Sequence, residues 1–210
     1  SATVPVNVLN AVTTTDTGRY LIDIGSASFP STVQGWNNIY TGRTSNVPLV
    51  DSSGAPTGVQ LTVSPTPPMG YENNSGTLAG PYISSATRDS FYTSSTGYGG
   101  APAKLIYTIS GLSTARTYNV TLFASRIGAS GEVRSALYTI GMNNAVLDAA
   151  ENSTKVATIS NITPINGQIV ITQEKSSSNT NTNGFAYLGV IAISSQPASE
   201  AAAMTGLTVN

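Results

Sequence analysis

At 210 residues, with 9% of them charged and a formal net charge of -1, the chain is long enough to bury a sizeable β core and offers no electrostatic footprint for nucleic acid. It contains neither cysteine nor histidine, which excludes disulfides, thiolate or imidazole metal sites, and any Ser-His-Asp or Cys-His nucleophile. Ten scattered acids leave paired-carboxylate glycoside hydrolysis chemically open, but a non-catalytic protein is the expectation. An average soluble domain is roughly 25% charged. Here Ser, Thr, Asn and Gly hydrate the surface instead, a composition common outside the cell. No run approaches the ~20 apolar residues of a membrane span. The chain opens on Ser1, as expected where a signal peptide has been removed.

Residues 1–12, SATVPVNVLNAV, alternate Val4, Val6 and Val8 with polar or Pro positions. Pro5 lacks a ladder donor, so this strand belongs on an edge or docks from outside. After the turn TTTDTG, RYLIDIGSAS predicts a strong strand with Tyr20, Ile22 and Ile24 on one face. From Phe29 to Val47 the pattern dissolves into a Gly- and Asn-rich loop holding the lone tryptophan, Trp36. VQLTVSP is the next alternating strand. Residues 65–103 are the longest irregular stretch, rich in Pro, Gly and Tyr, and predict an ordered covering loop.

Lys104–Gly141 is the organising stretch. Three period-two runs, broken by GLSTA and IGASGE, predict three antiparallel strands with one buried face. A short strand, a strand at 155–160 and another at 167–173 follow, the last after an NG turn. FAYLGVIAIS is apolar on both faces and so is expected to be central. In the tail, EAAAM predicts a helical turn and TGLTV one more strand. The sum is an all-β, antiparallel two-sheet sandwich. Residues 1–18 form an N-terminal edge or donor strand, 19–194 the sandwich, and 195–210 a C-terminal extension.

The motifs YLIDIGSAS, GWNNI, LVDSSGAPTGVQLTV, ATRDSFY, GLSTARTYNVTLFASR, YTIG, NGQIVIT and NTNGFAYLGVIAI occur in that order. In this the chain resembles secreted bacterial β-sandwich modules with a galactose-binding-like, jelly-roll fold, found beside lipase-like or glycan-degrading enzymes and surface-sorting segments. The likeness covers roughly residues 19–194. It implies a two-sheet jelly-roll sandwich in an extracellular or cell-surface setting, and little about ligand.

Several residues are candidate ligand contacts. Trp36, with Asn37, Asn38 and Tyr40, has the aromatic and amide groups that a sugar needs, or else Trp36 plugs an open end of the sandwich. Arg88 and Asp89 form an ion pair pinning the long loop, or a binding fork. Arg126 and Arg134 flank one turn; they converge on a carboxylate or sugar hydroxyls, or pair with Glu132 or Asp89. Tyr71, Tyr82, Tyr92 and Tyr98 offer an aromatic platform or core packing. Asp23, Asp51 and Asp148 lie at strand ends and turns, where folds of this kind hold a structural calcium, though they match no dedicated calcium loop. N-x-S/T triplets at Asn73, Asn119, Asn152 and Asn161 are candidate glycosylation sites.

Two functional expectations follow. The leading one is a structural subunit of a surface filament or layer, a head-to-tail homopolymer assembled by strand addition through Val4, Val6 and Val8 or through Leu207 and Val209. The alternative is a carbohydrate-binding accessory module whose partner is an extracellular glycan.

Overall fold

The computed structural model describes residues 18–66 and 71–197. The assembly-strand residues Val4, Val6, Val8, Leu207 and Val209, and the EAAAM turn, lie outside the described residues. In chain order the strands begin with β1 (Arg19–Gly25), β2 (Trp36–Tyr40), β3 (Val47–Val50), β4 (Pro56–Ser64) and β5 (Glu72–Asn73). A one-turn helix α1 (Ser84–Thr87) precedes β6 (Ser90–Ser94), β7 (Lys104–Ser110), β8 (Arg116–Phe123) and β9 (Ser135–Ile140). β10 (Asn143–Asp148), β11 (Ala157–Ile162), β12 (Gln168–Lys175), β13 (Phe185–Leu188) and β14 (Val190–Pro197) complete the set.

Two sheets form the predicted sandwich: β11-β8-β14-β1-β2 and β10-β9-β12-β7-β4-β3. Alternation does the sorting. Tyr20, Ile22 and Ile24 of β1 face Leu105, Tyr107 and Ile109 of β7 and Ile169 and Ile171 of β12 in one buried cluster, each at most 1% exposed. Burial of side chains of this size contributes roughly 1.5–3 kcal/mol apiece. The core tyrosines keep their hydroxyls bonded. Tyr107 Oη donates to Gln173 Oε1 at 2.6 Å, Gln173 Nε2 donates to the Ala186 carbonyl at 2.9 Å, and Tyr138 Oη donates to the Tyr187 carbonyl.

Four features depart from the sequence expectation. The Lys104–Gly141 stretch is not a three-stranded meander: β7 and β9 lie in one sheet with β12 between them, and β8 crosses to the other. The alternation was correct, but period-two patterning does not say which sheet a strand joins. Trp36–Tyr40 is a strand rather than loop, and it pairs parallel to β1, with Leu21 opposite Trp36 and Gly25 opposite Tyr40. The covering stretch is partly regular, because β5 and β6 join β13 in a third sheet of order β13-β6-β5. Finally, FAYLGVIAIS is divided at Gly189 into β13 of the third sheet and β14. β14 is central, between β8 and β1, and continues past residue 194.

Candidate functional site

One end of the sandwich carries an aromatic cleft of about 370 Å³, between the third sheet and the β8–β9 crossover. Its aromatic wall is continuous. Phe185 stands edge-on to Tyr92 at 5.3 Å and to Tyr98 at 5.4 Å between ring centroids, and Tyr187 and Tyr71 each lie 6.0 Å from Tyr92. Such edge-to-face geometry is the arrangement that ring quadrupoles favour. Tyr98 is 56% exposed and offers the open face. The sequence TGYGG holds it there. Gly97, Gly99 and Gly100 all take positive φ, and a Cβ on Gly100 would come 2.6 Å from the Tyr71 hydroxyl. Tyr98 N–H donates to Ser94 Oγ at 3.0 Å, and Tyr71 Oη donates to the Gly99 carbonyl.

The two arginines of the crossover frame the opposite wall. Arg134 Nη1 donates to Tyr187 Oη at 2.6 Å and Arg134 Nε to Glu132 Oε2 at 2.6 Å, while Asn181 Nδ2 donates to the same Glu132 oxygen at 2.7 Å. These bonds hold the Glu132 carboxyl below its ordinary range. Burial pushes the Tyr187 hydroxyl up, and the neighbouring Arg134 and Arg126 pull it back. Arg126 Nη1 donates to the Ile127 carbonyl, which lays its guanidinium along the rim. Glu72, Asn73, Asn74, Ser75 and Asn183 complete the lining. The cleft thus joins an apolar aromatic floor to guanidinium, amide and carboxylate groups at its edge. A ligand with one apolar face and several hydroxyls meets both requirements.

Of the candidate ligand residues, Arg126, Arg134 and Tyr98 meet in this cleft. Trp36, Asn37, Asn38 and Arg88 do not. Trp36 packs edge-on to Tyr82 at 6.0 Å in a satellite cluster with Phe123, Val190, Ala86 and Ile83, on the outer face of the first sheet rather than at an open end. Asn37 latches β2 to β3, accepting from Val50 N–H at 2.7 Å and donating to the carbonyls of Val50 and Leu21. Asn38 closes the preceding loop on Ser31 through both its amide atoms. Arg88 lies 3.6 Å over the Phe29 ring and does not pair with Asp89.

Sequence reasoning missed Phe185, Tyr187, Asn183, Glu72 and Asn74 as cleft residues. FAYL reads as buried strand because β13 is buried on its other face. YENN reads as part of the covering loop and NTNTNG as a polar loop, and nothing local says that the two meet.

The three aspartates expected at a calcium site are used separately. Asp51 Oδ1 accepts from Ser53 and Ala55 within its own turn, and Asp148 Oδ1 accepts from Arg134 and Ala150 N–H. Among the described residues no three acidic side chains gather to hold a metal ion. The neighbour of Asp23 is Asp89, whose carboxyl lies over the Cα of Gly25, where a Cβ would come within 2.3 Å of it. Asp23 Oδ2 accepts from Ser31 N–H and Oγ, and Asp89 Oδ2 accepts from Ser26 N–H at 2.5 Å. Their Oδ1 atoms are buried without a partner. Desolvation pushes Asp23 up to about 6. Desolvation, with the charge of Asp23 added, pushes Asp89 up to about 8, so the pair carries a proton at neutral pH.

Two of the N-x-S/T asparagines are structural. The Asn73 amide donates to Ser90 Oγ and the Ser125 carbonyl, and that of Asn152 to the carbonyls of Ala124 and Lys155; both side chains are buried, which leaves no space for a glycan. Asn119 stands mid-strand in β8 with its Oδ1 accepting from Asn161 N–H, and Asn161 itself is exposed.

No protein-family model, curated protein or solved structure matches the chain.

Proposed function

We propose that this chain is a non-catalytic, extracellular β-sandwich that recognises glycan in the Tyr98–Arg126–Arg134 cleft. The observation that carries this reading is the meeting of an exposed tyrosine face with guanidinium and amide groups in one open cleft. The apolar side of a sugar ring stacks on Tyr98 above Phe185, while Arg126, Asn74 and Asn183 reach its hydroxyls. Within the cleft lining Glu72 is the one acid, and Glu132 beside it is tied to Arg134. Among the described residues the lining offers no second carboxylate to act across a glycosidic bond, and the reading proposed is therefore binding. A glycan array followed by calorimetry on the full chain tests the reading. Tyr98→Ala and Arg126→Ala should each weaken the best glycan about 10- to 100-fold, equivalent to about 1.4–2.8 kcal/mol. Trp36→Phe should leave affinity unchanged; an equal loss from Trp36→Phe would overturn the cleft as the site.

A second reading, the surface assembly, is favoured by a separate observation. β1 begins and β14 ends at the same end of the first sheet, so the segments before Gly18 and after Pro197 both leave there. That is the end of the first sheet opposite the cleft.

A further inference from the structure

Each main sheet has two edge strands, and three of these four edges are blunted. β2 and β3 are latched together through Asn37, and β3 also carries Pro48, which removes a donor. β11 is interrupted by a register shift between Ile159 and Ile162, with Asn161 at φ 58°. β10 is different. It pairs with β9 in unbroken register from Asn143 to Asp148, has no hydrogen-bonded strand on its other side among the described residues, where β11 of the first sheet packs near it, and carries no Pro and no charge before Asp148. Its free row of backbone groups is a template for another strand.

Beside the start of β10 lies an apolar groove of about 430 Å³. Ile140, Ile162 and Ile169 are buried and form its floor, and Met142, Ile165 and Val170 rise around it at 97, 74 and 41% exposure. Val146 on β10 is a further 50% exposed. No charged residue lines the groove.

The chain itself contains a segment with matching chemistry. In Thr3–Val8, TVPVNV, three valines alternate with Pro5 and Asn7, and no charge is present. Pairing a strand through its valine positions turns the Pro5 and Asn7 backbone outward. The missing donor of Pro5 then costs no ladder bond and closes the new edge to further strands. The exit point is also right. Gly18 is bonded to Ser195, Ser195 is opposite Tyr118, and Tyr118 is opposite Ile162 of the groove, a walk of three strand spacings or about 14 Å. Residues 1–17 reach up to about 55 Å when extended, enough to cross to an adjacent molecule.

We infer that β10 and its groove are the acceptor for Thr3–Val8 of a second copy of this chain, which adds as a strand beside β10 with Val4, Val6 and Val8 seated on Ile140, Ile162 and Ile169. This rests on the assembly reading and specifies its two halves. Because donor and acceptor are different surfaces, the contact is heterologous and propagates as an open chain.

Two full-length variants test it. Val6→Lys removes the donor, and Met142→Asp with Val146→Lys removes the acceptor; unchanged far-UV circular dichroism and Tm confirm that each is folded. Sedimentation of the unmodified chain should show concentration-dependent assembly. Each variant alone should be monomeric, and an equimolar mixture should stop at a one-to-one dimer. Assembly that persists in the acceptor variant would overturn the β10 groove while leaving the assembly reading standing. A monomeric unmodified chain at the highest concentrations would overturn both.

Discussion

The two ends of the sandwich are built on opposite principles. At the cleft end the polar groups that frame and underlie the walls are committed: Arg134 to Tyr187 and Glu132, Gln173 to Tyr107 and the Ala186 carbonyl, Tyr138 to the Tyr187 carbonyl. At the groove end, Met142, Ile165 and Val170 stand exposed beside a regular sheet edge that no other described strand hydrogen-bonds. A fully bonded polar surface is stiff and presents fixed groups to a small ligand. An apolar edge is suited to another chain. On the proposed reading, the difference keeps ligand binding and association at separate ends of one small domain.

That contrast can be broken most forcefully through pH. Asp89, its carboxyl over Gly25, has its pKa raised to about 8, and Asp23 has its pKa raised to about 6. A raised carboxyl means that the folded chain holds its proton more tightly than the unfolded one. The stability tied to these groups is therefore complete below the ordinary carboxylate range. It is lost as pH rises, up to about 6 for Asp23 and about 8 for Asp89. Each pH unit in that window costs up to about 1.4 kcal/mol per group. Thermal melts from pH 4 to 9 should show Tm falling to a plateau above pH 8. Asp89→Asn keeps the acceptor for Ser26 N–H without the charge, so it should flatten most of the slope; a slope as steep as that of the unmodified chain would remove the pair as its cause.

Next in size is the buried link between the second and third sheets. Gln173→Leu strands the Tyr107 hydroxyl in a dry core and leaves the Ala186 carbonyl only its longer side-chain bond from Thr93 Oγ1 at 3.4 Å, and urea unfolding should register a loss of about 2 kcal/mol. Because β13 carries Phe185 and Tyr187, ligand binding should weaken as well. Arg134→Ala is a smaller change, about 1.5 kcal/mol, because its bond to Glu132 lies at the surface and the bond to Tyr187 is partly so. The smallest effect belongs to the other end. Met142→Ser, at a side chain 97% exposed, should shift stability by less than about 0.5 kcal/mol and be visible only in self-association.

The sequence made the strands legible and left their arrangement largely hidden. Alternation in RYLIDIG, KLIYTIS, TYNVTLF and QIVITQ marks β1, β7, β8 and β12 because each has one face in the core. Nothing in those runs distinguishes a hairpin from a crossing between sheets, so β8 was legible as a strand and not as a member of the other sheet. GWNNIYTGRTSN suggested a ligand loop because Asn and Gly recur through it. In fact its amides bond backbone on either side of a parallel pair, an arrangement that depends on the loop between Ser26 and Gly35 folding back. Arg126 and Arg134 could be placed near one another because only seven residues, forming a turn, separate them. Phe185, Tyr187 and Glu72 reach the same cleft from distant stretches, and only the third sheet brings them together. Asp23 looked like a strand-end acid, and its pairing with Asp89, 66 positions away, is likewise set by tertiary structure.

The most direct measurement is calorimetric titration of the best array glycan into the unmodified chain, Tyr98→Ala and Met142→Asp at a concentration where all are monomeric. The account predicts binding that Tyr98→Ala weakens by about 10-fold or more and that Met142→Asp leaves unchanged. Binding lost equally in Met142→Asp, or untouched in Tyr98→Ala, would contradict a glycan site confined to the tyrosine cleft.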